Sequence, residues 1–311
     1  MPVDPELDAF NARVAAAVPR AAVATPQARR ARLEATAQRF PYPPDDVARS
    51  DHWITLPGRE ILVRVYRPRS GTLPAMLYLH GGGWVAGSVM THDGAAAALA
   101  RDASIVVASV QYRRAPENPC PAPNDDAYAA WLWLAEHAPA LDIDPRRIGI
   151  GGDSAGAHLA IGACIEARDR RGPRPVLQLL IYPVIEPDFE TPSYREHAVT
   201  GTLTRADMID YWNDYLPSLQ SSDPRALPAR ASAAGLPAAH IVVAGIDPLR
   251  DEGLRFAARL VSAGVSTALT EGDTLTHGFL RAAPYVAAAR AVQERFGRAI
   301  GRALHAVDGN G

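Results

Sequence analysis

A serine between two glycines carries the first chemical signal in this sequence. Residues 152–156 read Gly-Asp-Ser-Ala-Gly, which places Ser154 in a G-x-S-x-G pattern. An aliphatic run typical of a strand precedes the pattern, and a run of helical composition begins near Ala155. A serine on such a strand-to-helix turn is exposed for attack, and only small residues fit beside its strained backbone. We therefore predict that Ser154 is a catalytic nucleophile.

A serine hydroxyl is inert near neutral pH, so the chain must also supply a base. In folds with this kind of turn, an acidic residue and then a histidine follow the serine. Of the five histidines after Ser154, His277 is preferred, because it lies in a loop between the last predicted strand and the final helix. His158 would point along its own helix, His240 begins a strand, and His305 lies in the tail. We predict that His277 is the general base.

The acid that orients the base is expected at the end of a strand. Asp247 stands just beyond the predicted strand 240–244, and Pro248 stiffens the chain after it. Asp251 and Glu252 are interpreted as first-turn helix residues, where the helix dipole favours carboxylates. Asp247 would hold the histidine in the right tautomer and stabilise its protonated form.

A run of glycines predicts the group that stabilises a negatively charged oxygen. Residues 80–84 read His-Gly-Gly-Gly-Trp and directly follow the predicted strand 75–79. Without Cβ atoms, the backbone N–H groups of Gly82 and Gly83 can approach a substrate carbonyl oxygen closely. Together with the N–H of Ala155 at the start of its helix, they are predicted to form an oxyanion hole.

Three bulky apolar residues are candidates for substrate contact. Trp84, at the end of the glycine run, is expected to wall the site or to pack beneath the loop. Met208 and Trp212 lie on a predicted helix, residues 205–216, together with Tyr211. Such a helical stripe serves either an acyl pocket or plain packing, and both interpretations stay open.

These residues need a scaffold in which strand ends meet at one edge. After Pro57-Gly58, short aliphatic runs alternate with helical segments at residues 92–102, 124–138, 155–169, 251–263 and 284–304. This alternation predicts an α/β fold with a mostly parallel sheet covered on both faces. The predicted strands are 61–66, 75–79, 105–110, 147–151, 176–181, 240–244 and 265–270.

Two segments fall outside this alternation. Residues 1–50 are rich in Ala and Arg and predict helices ahead of the core. Residues 185–236 contain the helix 205–216 but no convincing strand, so they are interpreted as an insertion. We predict that both segments form a helical cap, while residues 51–184 and 237–311 form the catalytic domain.

Composition narrows the class of partner. The 311 residues carry a formal net charge of −2, which gives no reason to expect nucleic acid as a ligand. No run approaches the roughly 20 apolar residues that span a bilayer, and the N-terminus has no basic and apolar leader. Cys120 and Cys164 show no metal-binding or disulfide pattern. A cytoplasmic protein with free thiols is expected.

The chain resembles the bacterial hormone-sensitive lipase family of carboxylesterases, of the α/β-hydrolase fold. The resemblance rests on four motifs in the family's order, at residues 80–84, 152–156, 247–253 and 277–279. It implies an eight-stranded sheet, a helical cap, and hydrolysis of small esters with short to medium acyl chains, without cofactor or metal. Because dimers are common among such relatives, the resemblance also favours a homodimer.

Two other functions share parts of this pattern. Arylformamidases are similar in their H-G-G-x-W loop and triad, so hydrolysis of amides or formamides stays open. Plant gibberellin receptors resemble the same family but have lost the catalytic histidine. The joint presence of Ser154, Asp247 and His277 argues against a receptor.

Overall fold

The computed structural model describes residues 2–199 and 201–307. Met1, Thr200 and residues 308–311 lie outside the described residues; they fall in the predicted N-terminal, insertion and catalytic segments respectively. The strands are β1 Ala48–Leu56, β2 Arg59–Arg67, β3 Leu73–Leu79, β4 Val106–Val110, β5 Ile143–Asp153, β6 Leu177–Ile181, β7 Ala238–Ile246 and β8 Thr267–Thr276. The α-helices are α1 Pro5–Ala17, α2 Pro26–Arg39, α3 Asp93–Ala103, α4 Ala122–His137, α5 Ala155–Asp169, α6 Pro192–Glu196, α7 Arg205–Tyr215, α8 Arg250–Ser262 and α9 Ala287–His305.

The eight strands form one sheet in the order β1-β2-β4-β3-β5-β6-β7-β8. β2 is antiparallel to both β1 and β4, and every other pairing is parallel. The carboxyl ends of β3, β5, β7 and β8 therefore meet at the same edge of the sheet. The predicted mostly parallel, eight-stranded sheet is confirmed.

Both faces of the sheet are covered, which explains the continuously apolar interior strands. Every residue of β3, β4 and β6 is buried. Leu77 and Leu79 pack into a core on one face, whereas Met76 and Tyr78 pack into a second core on the other. Since side chains alternate along a strand, one apolar run feeds both cores.

Seven of the eight strands were predicted from the sequence, and the missing one is β1. Within residues 2–199 and 201–307 this edge strand pairs only with β2, and eight of its nine residues are exposed or partly exposed. Its sequence, Ala-Arg-Ser-Asp-His-Trp-Ile-Thr-Leu, consequently lacks an apolar run. β1 begins at Ala48, so the predicted boundary at residue 50 falls inside a strand.

The N-terminal segment and the insertion are helical where the structure describes them. α1 and α2 precede β1, while α6 and α7 lie between β6 and β7. Caps fix their starts: the Thr204 side chain and the Asp207 carboxylate bond reciprocally to backbone N–H groups at the first turn of α7. Among the described residues, no helix combines the length and apolar character needed to cross a membrane.

Candidate active site

Ser154 occupies a strained turn between β5 and α5. Its φ of 54° and ψ of −120° lie outside the regions that residues with a side chain normally adopt. The Ser154 N–H donates to the Ile181 carbonyl at 2.8 Å and helps to hold this backbone. A Cβ added to Gly152 or to Gly156 would overlap the Leu79 carbonyl oxygen. The two glycines of the motif are therefore required because β3 passes so close.

The structure brings the three predicted triad residues together. The Ser154 Oγ lies 3.0 Å from His277 Nε2, and His277 Nδ1 lies 2.7 Å from Asp247 Oδ2. Asp247 follows β7 and His277 follows β8, so the parallel pairing of these strands aligns the two side chains. The other Asp247 oxygen accepts the Leu249 N–H at 2.9 Å. This geometry fits a nucleophile, a base and an orienting acid.

The glycine loop presents free backbone N–H groups beside the serine. Gly82 and Gly83 have φ angles of 124° and 62°, and both line the same cavity as Ser154. In the described part of the chain, neither of their N–H groups donates a hydrogen bond. Ala155 is the first residue of α5, so its N–H has no intrahelical acceptor. Three donors are thus available near one hydroxyl.

The buried Asp153 carboxylate holds the glycine loop in place. Its carboxylate accepts the Gly81 N–H at 2.9 Å and the Tyr78 hydroxyl at 2.7 Å, and His92 Nε2 lies 3.6 Å away. Burial alone would raise the pKa of Asp153, but His92 and these hydrogen bonds outweigh it and hold that pKa well below its usual value. The residue stays ionised and ties the loop to β3.

His80 serves as an anchor and not as a second base. It is fully buried, and burial lowers its pKa to about 3. Its Nδ1 lies 3.0 Å from the Gly81 carbonyl oxygen, while Tyr112 donates its hydroxyl to the His80 carbonyl at 2.6 Å. A neutral imidazole stacked on Tyr112 at 4.2 Å stiffens the loop.

The cavity above Ser154 has a volume of about 280 Å³. We call Gly82, Gly83, Ser154 and His277 its floor. We call the lining residues of α2 and α7 its roof: Ala28, Arg29, Arg32, Leu33, Asp207, Met208 and Tyr211. In the described ranges, no group of three or more His, Cys, Asp or Glu side chains could hold a metal ion.

Only one of the three predicted substrate-contact residues lines this cavity. Met208 does so, but Trp84 and Trp212 are fully buried and are not among the lining residues. They belong to an aromatic cluster of Trp84, His158, Trp212 and Tyr215, in which Trp84 stacks on Tyr215 at 4.2 Å. Trp84 and Trp212 were candidates for substrate contact. They pack against each other and do not line the cavity.

Sequence reasoning placed Tyr211 on the helical stripe that could line a pocket, but it did not single out Arg32 and Arg281. Tyr211 lies over the glycine loop, since a Cβ on Gly83 would overlap its ring. Arg32 and Arg281 line the cavity from α2 and from the turn after His277. An arginine in an Arg-rich helix carries no signal, but Arg281, four residues after His277, could have been suspected.

The carboxylates that open α8 do more than complement a helix dipole. Glu252 accepts the N–H groups of Ile185 and Glu186, both at 2.9 Å, and Asp251 accepts that of Ser193 at 2.8 Å. They therefore bind the start of the insertion to the core.

Comparison with known proteins places this geometry in context. The family described as alpha/beta hydrolase fold matches residues 76–281. The chain belongs to this family. It is 44% identical over 255 residues to carboxylesterase NlhH of Mycobacterium tuberculosis, covering 79% of this chain and 80% of that protein.

Further similar proteins support the same assignment. The chain is 39% identical to ethyl acetate hydrolase of Pseudomonas putida, covering 73% of this chain and 74% of that protein. The solved hyperthermophilic esterase of the archaeon Pyrobaculum calidifontis superposes with a TM-score of 0.89 and 34% identity, covering 99% of this chain and 100% of that one. The predicted fold and the resemblance to the hormone-sensitive lipase family are confirmed, and the chain is a hydrolase of carboxylic esters.

Proposed function

We propose that the protein hydrolyses carboxylic esters with short to medium acyl chains through an acyl-enzyme on Ser154. The observation that carries this proposal is the continuous hydrogen-bonded line from Ser154 Oγ through His277 to Asp247, at 3.0 and 2.7 Å. All three residues are at most 9% exposed, so bulk water competes little with these bonds.

In the first half of the reaction, Ser154 Oγ attacks the ester carbonyl carbon while His277 Nε2 takes the hydroxyl proton. The carbonyl oxygen becomes negative and receives hydrogen bonds from the N–H groups of Gly82, Gly83 and Ala155. When the tetrahedral species collapses, His277 returns the proton to the departing alcohol. Asp247 stabilises the imidazolium without taking its proton.

In the second half, water attacks the acyl-enzyme and His277 takes one of its protons. The new tetrahedral species breaks the bond to Ser154 Oγ, which recovers its proton from His277, and the carboxylic acid leaves. The balance needs only ester and water, so no redox partner enters the cycle.

The size of the cavity supports the expected acyl range. Its volume of about 280 Å³ lies at the lower end of the roughly 300–1,000 Å³ typical of ligand pockets. The Tyr211 ring and the Met208 side chain close it on the side of α7. A long acyl chain would have to displace one of them.

A p-nitrophenyl ester series from acetate to palmitate tests the proposal, run beside Ser154→Ala and p-nitroanilide and formamide analogues. We expect turnover to fall beyond medium chains, and Ser154→Ala to lose about 10⁴-fold or more in kcat. Undiminished hydrolysis by Ser154→Ala would remove the nucleophile assignment. Faster cleavage of the amide or formamide than of the matched ester would shift the assignment to amide hydrolysis.

We also propose a homodimer located in the cytoplasm. β8 is an edge strand whose outer backbone groups can pair with a second copy, and Leu269 on it is 41% exposed. The free Cys120 and Cys164 suit a reducing compartment. Light scattering after size exclusion tests the dimer: a mass near 33.2 kDa at micromolar concentration would contradict it. Fractionation of the source cells tests the location, since recovery outside the cytoplasm would refute it.

A further inference from the structure

The cavity above Ser154 carries more positive than negative side chains. Its charged lining residues are Arg20, Arg29, Arg32, Arg281, Asp153 and Asp207. An ester with neutral acyl and alcohol groups carries no negative charge that could pair with this excess of positive charge. The pairing of each charge therefore decides what the cavity can attract.

Four of these six charges are already compensated. Arg20 donates to both Asp207 oxygens, at 3.0 and 2.9 Å. Arg29 is paired outside the cavity lining, with Asp210 at 2.6 Å and Asp214 at 3.2 Å. As described above, Asp153 is held by its own hydrogen bonds beneath the glycine loop.

The remaining two, Arg32 and Arg281, have no carboxylate partner among the described residues. The Arg32 Nε donates to the Val18 carbonyl oxygen at 3.3 Å, which leaves its two terminal nitrogens without a partner there. The Arg281 guanidinium makes no hydrogen bond or ion pair within residues 2–199 and 201–307. Both side chains are partly buried, so water screens them less than it screens surface charges.

These two charges line the same cavity as the catalytic histidine. Burial lowers the pKa of Arg32, and the neighbouring guanidiniums of Arg20 and Arg281 lower it further. Arg281 Cζ would lie 3.2 Å from a Cβ added to Gly278, the residue that follows His277. An anion between Arg32 and Arg281 would thus relieve repulsion inside the catalytic cavity.

We propose that the enzyme prefers esters that carry a carboxylate, which Arg32 and Arg281 bind while Ser154 attacks the ester carbonyl. A planar carboxylate suits two guanidiniums, because each can donate to one or both of its oxygens. This inference rests on the proposed esterase function and names the substrate class for that same site. The carboxylate belongs either to the acyl group or to the alcohol, and matched substrates separate these two cases.

The test compares each charged ester with a neutral amide of nearly the same shape. For the acyl side, the pair is monomethyl adipate and its primary amide, the methyl ester of adipamic acid. For the alcohol side, the pair is 4-acetoxybenzoate and 4-acetoxybenzamide. In at least one pair we expect kcat/KM for the carboxylate to exceed that for the amide about tenfold, and the excess to shrink as salt is added.

Variants then assign the preference to the two arginines. Arg32→Gln and Arg281→Gln should each lower the carboxylate-to-amide ratio about tenfold, while Arg32→Lys and Arg281→Lys should keep part of it. Because the ratio is measured within one variant, a loss of folded protein cancels. Arg298→Gln, on the exposed pair with Glu294 in α9, is the control and should leave the ratio unchanged.

Each outcome is decisive for one of the two proposals. If wild type hydrolyses neither member of any pair nor the p-nitrophenyl esters, the esterase function fails. If it hydrolyses the ester bond of the amide-bearing substrate as fast as that of the carboxylate-bearing substrate in both pairs, the esterase function stands. The carboxylate preference is then refuted. A preference that survives both Gln variants would also refute the role of Arg32 and Arg281.

Discussion

The floor and the roof of the cavity are held in different ways. The floor is built on strand ends and fixed by buried hydrogen bonds, such as those of Asp153 to Gly81 and of Asp247 to Leu249. In the roof, partly exposed ion pairs join Arg29 of α2 to Asp210 and Asp214 of α7, and Arg20, just before α2, pairs with Asp207 of α7. Such pairs contribute about 0–1 kcal/mol each.

This contrast suggests that the floor carries out the reaction and the roof determines which esters are accepted. A shift of about 1 Å in the floor would misplace the oxyanion donors or the base and cost a large factor in rate. The roof touches no reacting atom in the proposed mechanism, so changes there should alter which ester is accepted. The following substitutions test this division, beginning with the floor.

Gly82→Ala should have the largest effect of the three. Its Cβ would lie 2.6 Å from the Ala86 carbonyl carbon, and its φ of 124° is unfavourable for alanine. The N–H of residue 82 would move, and we expect kcat/KM on p-nitrophenyl butyrate to fall about 10²–10³-fold.

Gly58→Ala is the matched control for that substitution. Gly58 also has a positive φ, of 73°, but nothing lies within 4 Å of its added Cβ, and it lies in the β1–β2 turn. Its kcat/KM should stay within about twofold of wild type, with thermal stability slightly reduced. Equal losses in both variants would mean that general strain, and not the oxyanion donors, causes the effect.

Substitution of Met208 in the roof should alter selectivity more than rate. Met208→Ala opens the cavity and should raise the octanoate-to-butyrate ratio of kcat/KM about tenfold, whereas Met208→Phe should lower it. The p-nitrophenyl ester series measures both. If the two variants move the ratio in the same direction, Met208 does not limit the acyl chain and the roof is not the selective element.

The smallest effect is expected at His158, a buried residue of α5. His158 donates its Nε2–H to the Ala226 carbonyl oxygen at 3.1 Å and lies in the aromatic cluster. Burial lowers its pKa from 6.5 to about 4, so the folded state binds the neutral ring. Its contribution to stability is fully present above pH 6.5 and is lost as the pH falls towards about 4.

His158→Gln should therefore weaken the pH dependence of unfolding below pH 6.5. The slope of the unfolding free energy should fall by up to about 1.4 kcal/mol per pH unit, the value for one proton. Denaturant titrations at pH 4.5 to 7 measure it. The exposed His137 gives the control, His137→Gln, with an unchanged slope. An unchanged slope in both would mean that folding does not lower the pKa of His158.

The sequence pointed to residues that the structure places together in the floor, because the requirements of the floor are local. At Gly82 and Gly152 a Cβ would overlap neighbouring backbone atoms, so only glycine fits. Such positions form a recognisable motif in the sequence. The roof depends on which faces of α2 and α7 meet, which no local pattern records. Hence Arg32 was missed, and for Trp212 the sequence left pocket and packing open, whereas it packs inward against Trp84.

The edge strand β1 was missed for a related physical reason. A strand that is half in solvent needs no apolar run, so backbone pairing alone defines it. Interior strands such as β3 are buried on both faces and therefore need an apolar run. That run is why they could be predicted from the sequence. The extent of β8 to Thr276 was also underestimated, because its last residues pair without a continuous apolar pattern.

The sheet order has a consequence for how activity is lost. Ser154 follows the central strand β5, but Asp247 and His277 follow β7 and the outermost strand β8. An edge strand can detach by sub-global opening, at less free energy than unravelling the whole sheet. Fraying of β8 would withdraw the imidazole while the serine turn stays intact, so we expect inactivation on heating to precede the loss of the central sheet.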